Sequence, residues 1–152
     1  MDGKSGKLVS SYKGGWAAGF RHGQGINRYA CGRVYVGEFE AGQREGQGTL
    51  TLPDGCTESG PWIGGNLPFG ELKCGPGDAG YIGFLSDGVP DGLGEATYRN
   101  GHVYSGRFKD GKRHGLGIYT WTDQSFYKGI WVNGSRKKFI NKILEIATRC
   151  HF

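Results

Sequence analysis

At six places the chain sets a residue, a glycine and a further residue on alternate positions: Tyr12-x-Gly14-x-Trp16, Tyr35-x-Gly37-x-Phe39, Glu58-x-Gly60-x-Trp62, Tyr81-x-Gly83-x-Leu85, Tyr104-x-Gly106-x-Phe108 and Tyr127-x-Gly129-x-Trp131. A period of two places all three on one face of a β-strand, with intervening residues such as Val36 and Glu38 on the other. Another glycine follows seven positions after the first residue, and in four copies a Gly-x-Gly pair comes next: Gly23/Gly25, Gly46/Gly48, Gly92/Gly94 and Gly115/Gly117. The copies begin at 12, 35, 58, 81, 104 and 127, a 23-residue period without insertion. Such a period signals a stacked array, so function is sought on a long surface and not in a buried catalytic pocket.

The second copy illustrates the unit. Tyr35 to Phe39 reads as one strand, Gly42-Gln-Arg-Glu-Gly46 as a turn, and Gly48 to Leu52 as a second short strand. Asp54-Gly55, like Asn100-Gly101 two units on, predicts a two-residue type I′ turn into the next copy. Each repeat is therefore a β-hairpin, and successive hairpins pair into one elongated antiparallel sheet. Gly14, Gly37, Gly83, Gly106 and Gly129 fall inside strands, where glycine is normally unfavourable. The expected compensation is a neighbouring ring packed flat on the bare backbone, which gives a ladder of aromatics over glycines.

Two regions depart from the pattern. In the third copy Glu58 replaces Tyr, Pro61 and Pro68 occupy strand positions, and the second glycine pair is displaced to Gly70. A bulge, kink or irregular loop is expected over roughly residues 56–80, read more plainly as repeat decay than as a bend shaping a groove. After Gly134, Phe139, Ile140, Ile143, Leu144, Ala147 and Cys150 recur at helical spacing. This predicts an amphipathic α-helix over 135–150, N-capped by Ser135 and closing the open end of the array formed by residues 1–134.

Composition adds few constraints. Glycine accounts for 31 of 152 residues without the three-residue period of collagen, and 36% hydrophobic residues suit a thin solenoid. Most of the formal charge of +5 sits in residues 136–152, so the basic character belongs to the tail. Cys31, Cys56, Cys74 and Cys150 form no C-x-x-C pair and have no His at metal-ligand spacing. Free thiols in a reducing compartment are expected. No signal peptide and no apolar run near ~18 residues is apparent, which makes a cytoplasmic protein the default.

The motif Y-x-G-x-W-x-x-G-x-x-x-G-x-G resembles the MORN repeat (membrane occupation and recognition nexus), with near-complete copies at Tyr12–Gly25 and Tyr104–Gly117. The resemblance spans roughly residues 12–134. It implies a non-enzymatic scaffold at a membrane–cytoskeleton location. It also implies three modes of contact: acidic phospholipid, dimerisation, and a helical peptide held in the groove of the curved sheet. The start at Met1 without kinase or methyltransferase sequence suggests a stand-alone repeat protein.

Chemistry is sparse. His22 and His114 precede Gly-x-Gly pairs and read as register residues, and Glu38, Glu40, Glu45, Asp87 and Asp91 fall on turns or the polar face. No catalytic motif, metal site, cofactor site or phosphate loop is present, so neither enzyme nor cofactor is expected. The near-neutral body excludes the positive stripe that nucleic acid requires. Two binding features remain. Tyr29, Tyr98, Tyr119 and Trp121 in the second strands could anchor a peptide or helix of a protein partner, and Ile82 and Phe84 are apolar on a face that should be polar. Alternatively Arg136, Lys137, Lys138 and Lys142 on the C-terminal helix could hold an acidic membrane surface, at about 1 kcal/mol per cation. Capping of the sheet with solvated cations is the plainer role for that helix. Homodimerisation through sheet edges or Ile82/Phe84 is compatible with either reading.

Overall fold

The computed structural model describes residues 9–74 and 80–137. They form one open sheet of twelve strands, each hydrogen-bonded to its neighbours in sequence and every pair antiparallel. The strands are β1 (Ser11–Ala17), β2 (Phe20–Arg28), β3 (Val34–Glu40), β4 (Gln43–Thr51), β5 (Cys56–Trp62), β6 (Phe69–Cys74), β7 (Gly80–Ser86), β8 (Val89–Thr97), β9 (Val103–Lys109), β10 (Lys112–Thr120), β11 (Phe126–Val132) and β12 (Ser135–Arg136). Odd and even strands are the two arms of successive repeats.

The turns lie elsewhere than the sequence reading put them. Within each repeat the arms are joined by two residues with positive φ, such as Ala41 (46°) with Gly42 (80°) and Asn133 (48°) with Gly134 (86°). This is the type I′ turn whose twist matches that of the strands. Gln43, Arg44 and Glu45, read as turn, are strand. Asp54-Gly55 and Asn100-Gly101 instead end longer loops: the Gly55 N–H donates to Leu52 O and the Leu52 N–H to Cys56 O. Only the glycine has positive φ there, which fits a type I turn followed by a left-handed residue. Asp54, Asn100 and Asp123 each accept the backbone N–H two residues on, and this local bond competes with the I′ geometry.

The two glycines of each Gly-x-Gly pair do different work. Gly46 has φ of 66° inside a bulge, between the Phe39–Arg44 and Gly37–Gly48 pairs, where β4 carries extra residues. Gly48 instead lies under the ring of Tyr35, as does Gly37. The Tyr35 hydroxyl donates to Glu38 O at 3.1 Å, Tyr81 to Phe84 O at 2.7 Å and Tyr104 to Arg107 O at 2.9 Å. Ring and backbone are therefore fixed together, and Tyr35 and Tyr104 are wholly buried although the sheet is one layer thick.

The ladder passes from unit to unit by edge-to-face contacts. Tyr12 meets Phe39 at 5.2 Å, Tyr35 meets Trp62 at 5.5 Å, Tyr81 meets Phe108 at 5.0 Å and Tyr104 meets Trp131 at 5.3 Å. Arginines nine residues after the ladder tyrosines rivet three of these joints, while the Tyr81–Phe108 joint has Pro90 at that position. Arg21, Arg44 and Arg113 lie over the rings and donate to the turn carbonyls of Gly42, Gly65 and Gly134 in the following unit, at 2.7, 2.6 and 2.7 Å.

The third unit keeps both strands and loses the ladder chemistry. Glu58 stands where the tyrosine belongs and Leu67 where the arginine belongs. Leu67 is buried and lies against Gly60 and Gly70, taking the place of the missing ring. The second arm is one residue short there, and the ladder between β5 and β6 ends at Ser59–Glu71, before the donor-less Pro61. The expected irregularity is thus a shortened hairpin within a continuous sheet; residues 75–79 lie outside the described set.

Two further expectations change. Cys56 and Cys74 face each other across β5 and β6 and are joined by a disulfide, so they are not free thiols; Cys31 is free and exposed. Spacing concealed the pair because strand register, not sequence proximity, brings the two cysteines together. Ser135 and Arg136 do not open a helix. They form β12, with Arg136 opposite Trp131, because the repeat continues to the arginine position of the sixth unit. Lys137 is not helical either, and residues 138–150 of the predicted helix, with Lys138 and Lys142, lie outside the described residues.

Candidate functional site

The richest aromatic cluster lies on the ladder face over the last two units, and sequence position explains it. The second arms carry Asn27/Tyr29, Leu50/Leu52, Ala96/Tyr98 and Tyr119/Trp121 at corresponding places. The fifth unit alone supplies two rings there. Tyr119 is the last residue but one of β10 and Trp121 opens the loop that follows it. Tyr98 and His102 belong to the preceding inter-unit loop, in which the Tyr98 N–H donates to His102 O and the Gly101 N–H to Tyr98 O.

These elements bring Tyr98 and Tyr119 into a stack at 5.9 Å, Tyr119 edge-on to Trp121 at 5.2 Å, and Tyr119 beside Trp131 at 5.8 Å. His102 Nδ1 lies 2.7 Å from the Tyr119 hydroxyl and its ring packs edge-on to Tyr119. His102, Tyr119, Trp121 and Trp131, together with Tyr127, Arg113, Arg136 and Lys137, line a groove of about 900 Å³, with Tyr98 stacked behind Tyr119.

Arg113 is the pivot. Its guanidinium lies 4.4 Å from Trp131, 5.2 Å from Tyr119, 5.7 Å from Tyr98 and 5.9 Å from Tyr104, while one nitrogen donates to Gly134 O. Arg136 lies over Tyr127 at 5.2 Å and Trp121 at 5.7 Å. Burial raises the Tyr98 hydroxyl above its ordinary value, opposed in part by the Arg113 charge. In the floor, Trp131 is 3% exposed and its indole N–H has no acceptor. The corresponding indole of Trp62 donates to Gly48 O at 3.0 Å.

Tyr98, Tyr119 and Trp121, named from sequence, therefore meet in one place. Tyr29 lies in the first inter-unit loop, far along the sheet. Ile82 and Phe84 are half exposed (53% and 50%) on the opposite face, where Phe84 packs against Phe69 at 5.3 Å. Arg136 and Lys137 are exposed at the groove, and Lys138 and Lys142 lie outside the described residues. Sequence reasoning missed Tyr127, Trp131, Arg113 and His102. The signal for Arg113 was present, since Arg21, Arg44, Arg113 and Arg136 share one register position.

Among the described residues no group of three or more His, Cys, Asp or Glu side chains is placed to hold a metal ion, and no helix is long and apolar enough to cross a membrane.

Comparison with known proteins agrees with this geometry. The MORN repeat family signature matches residues 12–30, 35–57, 81–103 and 104–126, which together exceed half the chain and coincide with units one, two, four and five. Alsin of Rattus norvegicus and alsin of Homo sapiens are each 28% identical over 99 residues, 65% of this chain, and alsin of Mus musculus is 27% identical over the same length. In each case the match spans 5% of alsin's own length.

Proposed function

The chain belongs to the MORN repeat family, and from that premise we propose that it is a non-enzymatic scaffold whose aromatic groove captures a peptide or helical segment of a protein partner. The family is not a known enzyme family. The observation that carries the reading is the convergence of Tyr119, Trp121, Tyr127 and Trp131 around Arg113 and Arg136 in one groove. Aromatic and arginine side chains dominate binding energy at interfaces because they cover much area at little conformational cost. These rings are already held in place by stacking and by hydrogen bonds, so little ordering remains to be paid on association.

A second reading has its own support. Arg136 and Lys137 are exposed, and clustered cations on a surface attract acidic phospholipid. Under this reading the protein is a peripheral membrane module, and the groove serves only packing.

Affinity capture with the intact chain and with Trp121→Ala separates the two. A protein retained by the intact chain at moderate salt and lost from the variant supports the scaffold. Salt-sensitive sedimentation with phosphatidylserine vesicles, unchanged by Trp121→Ala and lost on Arg136→Ala/Lys137→Ala, supports the membrane module and removes the scaffold reading if no protein is retained.

A further inference from the structure

We propose that residues 138–152 of this chain occupy the aromatic groove, so that a partner binds there by displacing them. The consequence for a partner rests on the groove reading above; the occupancy itself does not.

The first argument is why the sheet stops. In units one, two, four and five the residue eleven positions after the ladder tyrosine is a glycine of positive φ: Gly23 (71°), Gly46 (66°), Gly92 (106°) and Gly115 (75°). Two positions further on, Gly25, Gly48, Gly94 and Gly117 lie under the tyrosine ring. The sixth unit has Lys138 and Ile140 at these two places. A lysine is strained at positive φ, and an isoleucine side chain needs the volume that the ring covers. Pairing of β12 with β11 ends accordingly, after Trp131–Arg136 and a bond from the Lys137 N–H to Ile130 O at 2.8 Å. The sequence beyond Lys137 is thus barred from completing the hairpin.

The second argument is where the chain departs. Tyr12, Tyr35, Tyr81 and Tyr104 each donate to the carbonyl three residues on in their own strand. Tyr127 donates instead to Lys137 O, at 3.3 Å. Its hydroxyl belongs to the ladder face, so the backbone is drawn to that side where it leaves β12, and Lys137 itself lines the groove.

The third is what the tail presents. On a helical period Phe139, Ile140, Ile143, Leu144, Ile146 and Ala147 share one face, with Lys138, Lys142, Glu145 and Arg149 opposite. The apolar face suits the half-buried rings of Trp121 and Tyr127, and the tail cations stay in water, away from Arg113 and Arg136. Thirteen residues of helix are about 20 Å long. Four strands at about 4.8 Å span the same distance, so the helix laid across β11 to β8 reaches the Tyr98–Tyr119 stack. Because the tail is tethered at the groove, its effective concentration is on the order of millimolar, and a free peptide competes at a disadvantage.

The test uses the intact chain with isotopically labelled Ile and Leu methyl groups. Nuclear Overhauser contacts are expected from the Ile143 and Leu144 methyls to the rings of Trp121 and Tyr127, undiminished by dilution. Ile143→Asp/Leu144→Asp should abolish them, shift the Trp121 indole signal and leave the sheet circular dichroism unchanged. Displayed peptides selected on that variant, and lost when Trp121→Ala is added to it, should bind it about tenfold tighter than they bind the intact chain. Four results overturn the occupancy and leave the groove reading standing: tail methyls without ring contacts, contacts to Leu116 or Ile118 on the opposite face, contacts that vanish on dilution and so belong to a second copy, and contacts to phosphatidylserine vesicles in place of the rings. Equal peptide affinity for variant and intact chain overturns the displacement. Ring contacts from the tail, with no Trp121-dependent peptide recovered even from the variant, uphold the occupancy and remove the groove reading.

Discussion

The ring of Tyr35 fills the volume that a Cβ on Gly48 would need, and its hydroxyl is tied to Glu38 O at 3.1 Å. The glycine is thus required by a neighbour's ring and not by its own backbone. Gly48→Ala has no soft direction in which to relieve the clash, and overpacking of this kind costs about 1–3 kcal/mol. Gly80→Ala is the control: the nearest atom to its added Cβ is Leu72 O at 3.8 Å, and its φ is unremarkable. Urea denaturation should show a lower midpoint for the first variant, with the second within about 0.5 kcal/mol of the parent.

Leu67 and Glu58 form a paired replacement in the third unit, the leucine covering Gly60 and Gly70 where a tyrosine ring would lie. Glu58→Tyr alone brings a ring into occupied space and should destabilise by about 1–3 kcal/mol. Combining it with Leu67→Arg vacates that space and restores the ring–guanidinium contact seen between Arg44 and Tyr35. The double variant is expected to be more stable than the sum of the singles predicts, by about 1 kcal/mol or more in a double-mutant cycle. Additive behaviour would show that the two positions do not share a space.

How much of this was legible beforehand follows from what each signal depends on. The strand face of Tyr35, Gly37 and Phe39, and the stacking of a ring over glycine, are local consequences of a period of two. They needed only adjacent residues. The turn positions were misread because Ala41-Gly42 looks weaker than Asp54-Gly55, yet the bulge at Gly46 moves the tight turn to Ala41 and lets Asp54 bond its own loop. The Cys56–Cys74 bond depends on a register fixed by the shortened third hairpin, which no local pattern announces. For the groove, Tyr98, Tyr119 and Trp121 were visible as extra rings. Trp131 was hidden because its position is occupied in every unit, and what sets it apart is Tyr119 of the second arm beside it at 5.8 Å.

Reduction of the Cys56–Cys74 bond should act on the unfolded chain, since the link spans 18 residues of sequence. A loop of that length restricts the unfolded ensemble by about 3 kcal/mol in the chain-entropy account. Unfolding of the intact protein is expected to shift to lower denaturant on addition of dithiothreitol, while Cys56→Ser/Cys74→Ser should be insensitive to it. Trp121 belongs to the fifth unit, two units along the sheet, so its fluorescence in the folded state should not change.

Alkaline pH should unfold the ladder. Burial raises the hydroxyls of Tyr35, Tyr81 and Tyr104 from 10.0 to about 12, the Arg44 and Arg113 charges opposing it at Tyr35 and Tyr104. In the unfolded chain these groups ionise near 10, so between about pH 10 and 12 the unfolded state has released protons that the folded state retains. Stability is therefore fully present below pH 10 and falls as pH rises through the folded values. Absorbance of tyrosinate at 295 nm, followed alongside far-ultraviolet circular dichroism, should show three ionisations that appear only as the sheet signal is lost. Smooth titration of all tyrosines near pH 10 with the sheet intact would mean the rings do not lie sealed against the glycines. Tyr35→Phe should weaken the pH dependence by one proton and leave the remainder of the curve in place.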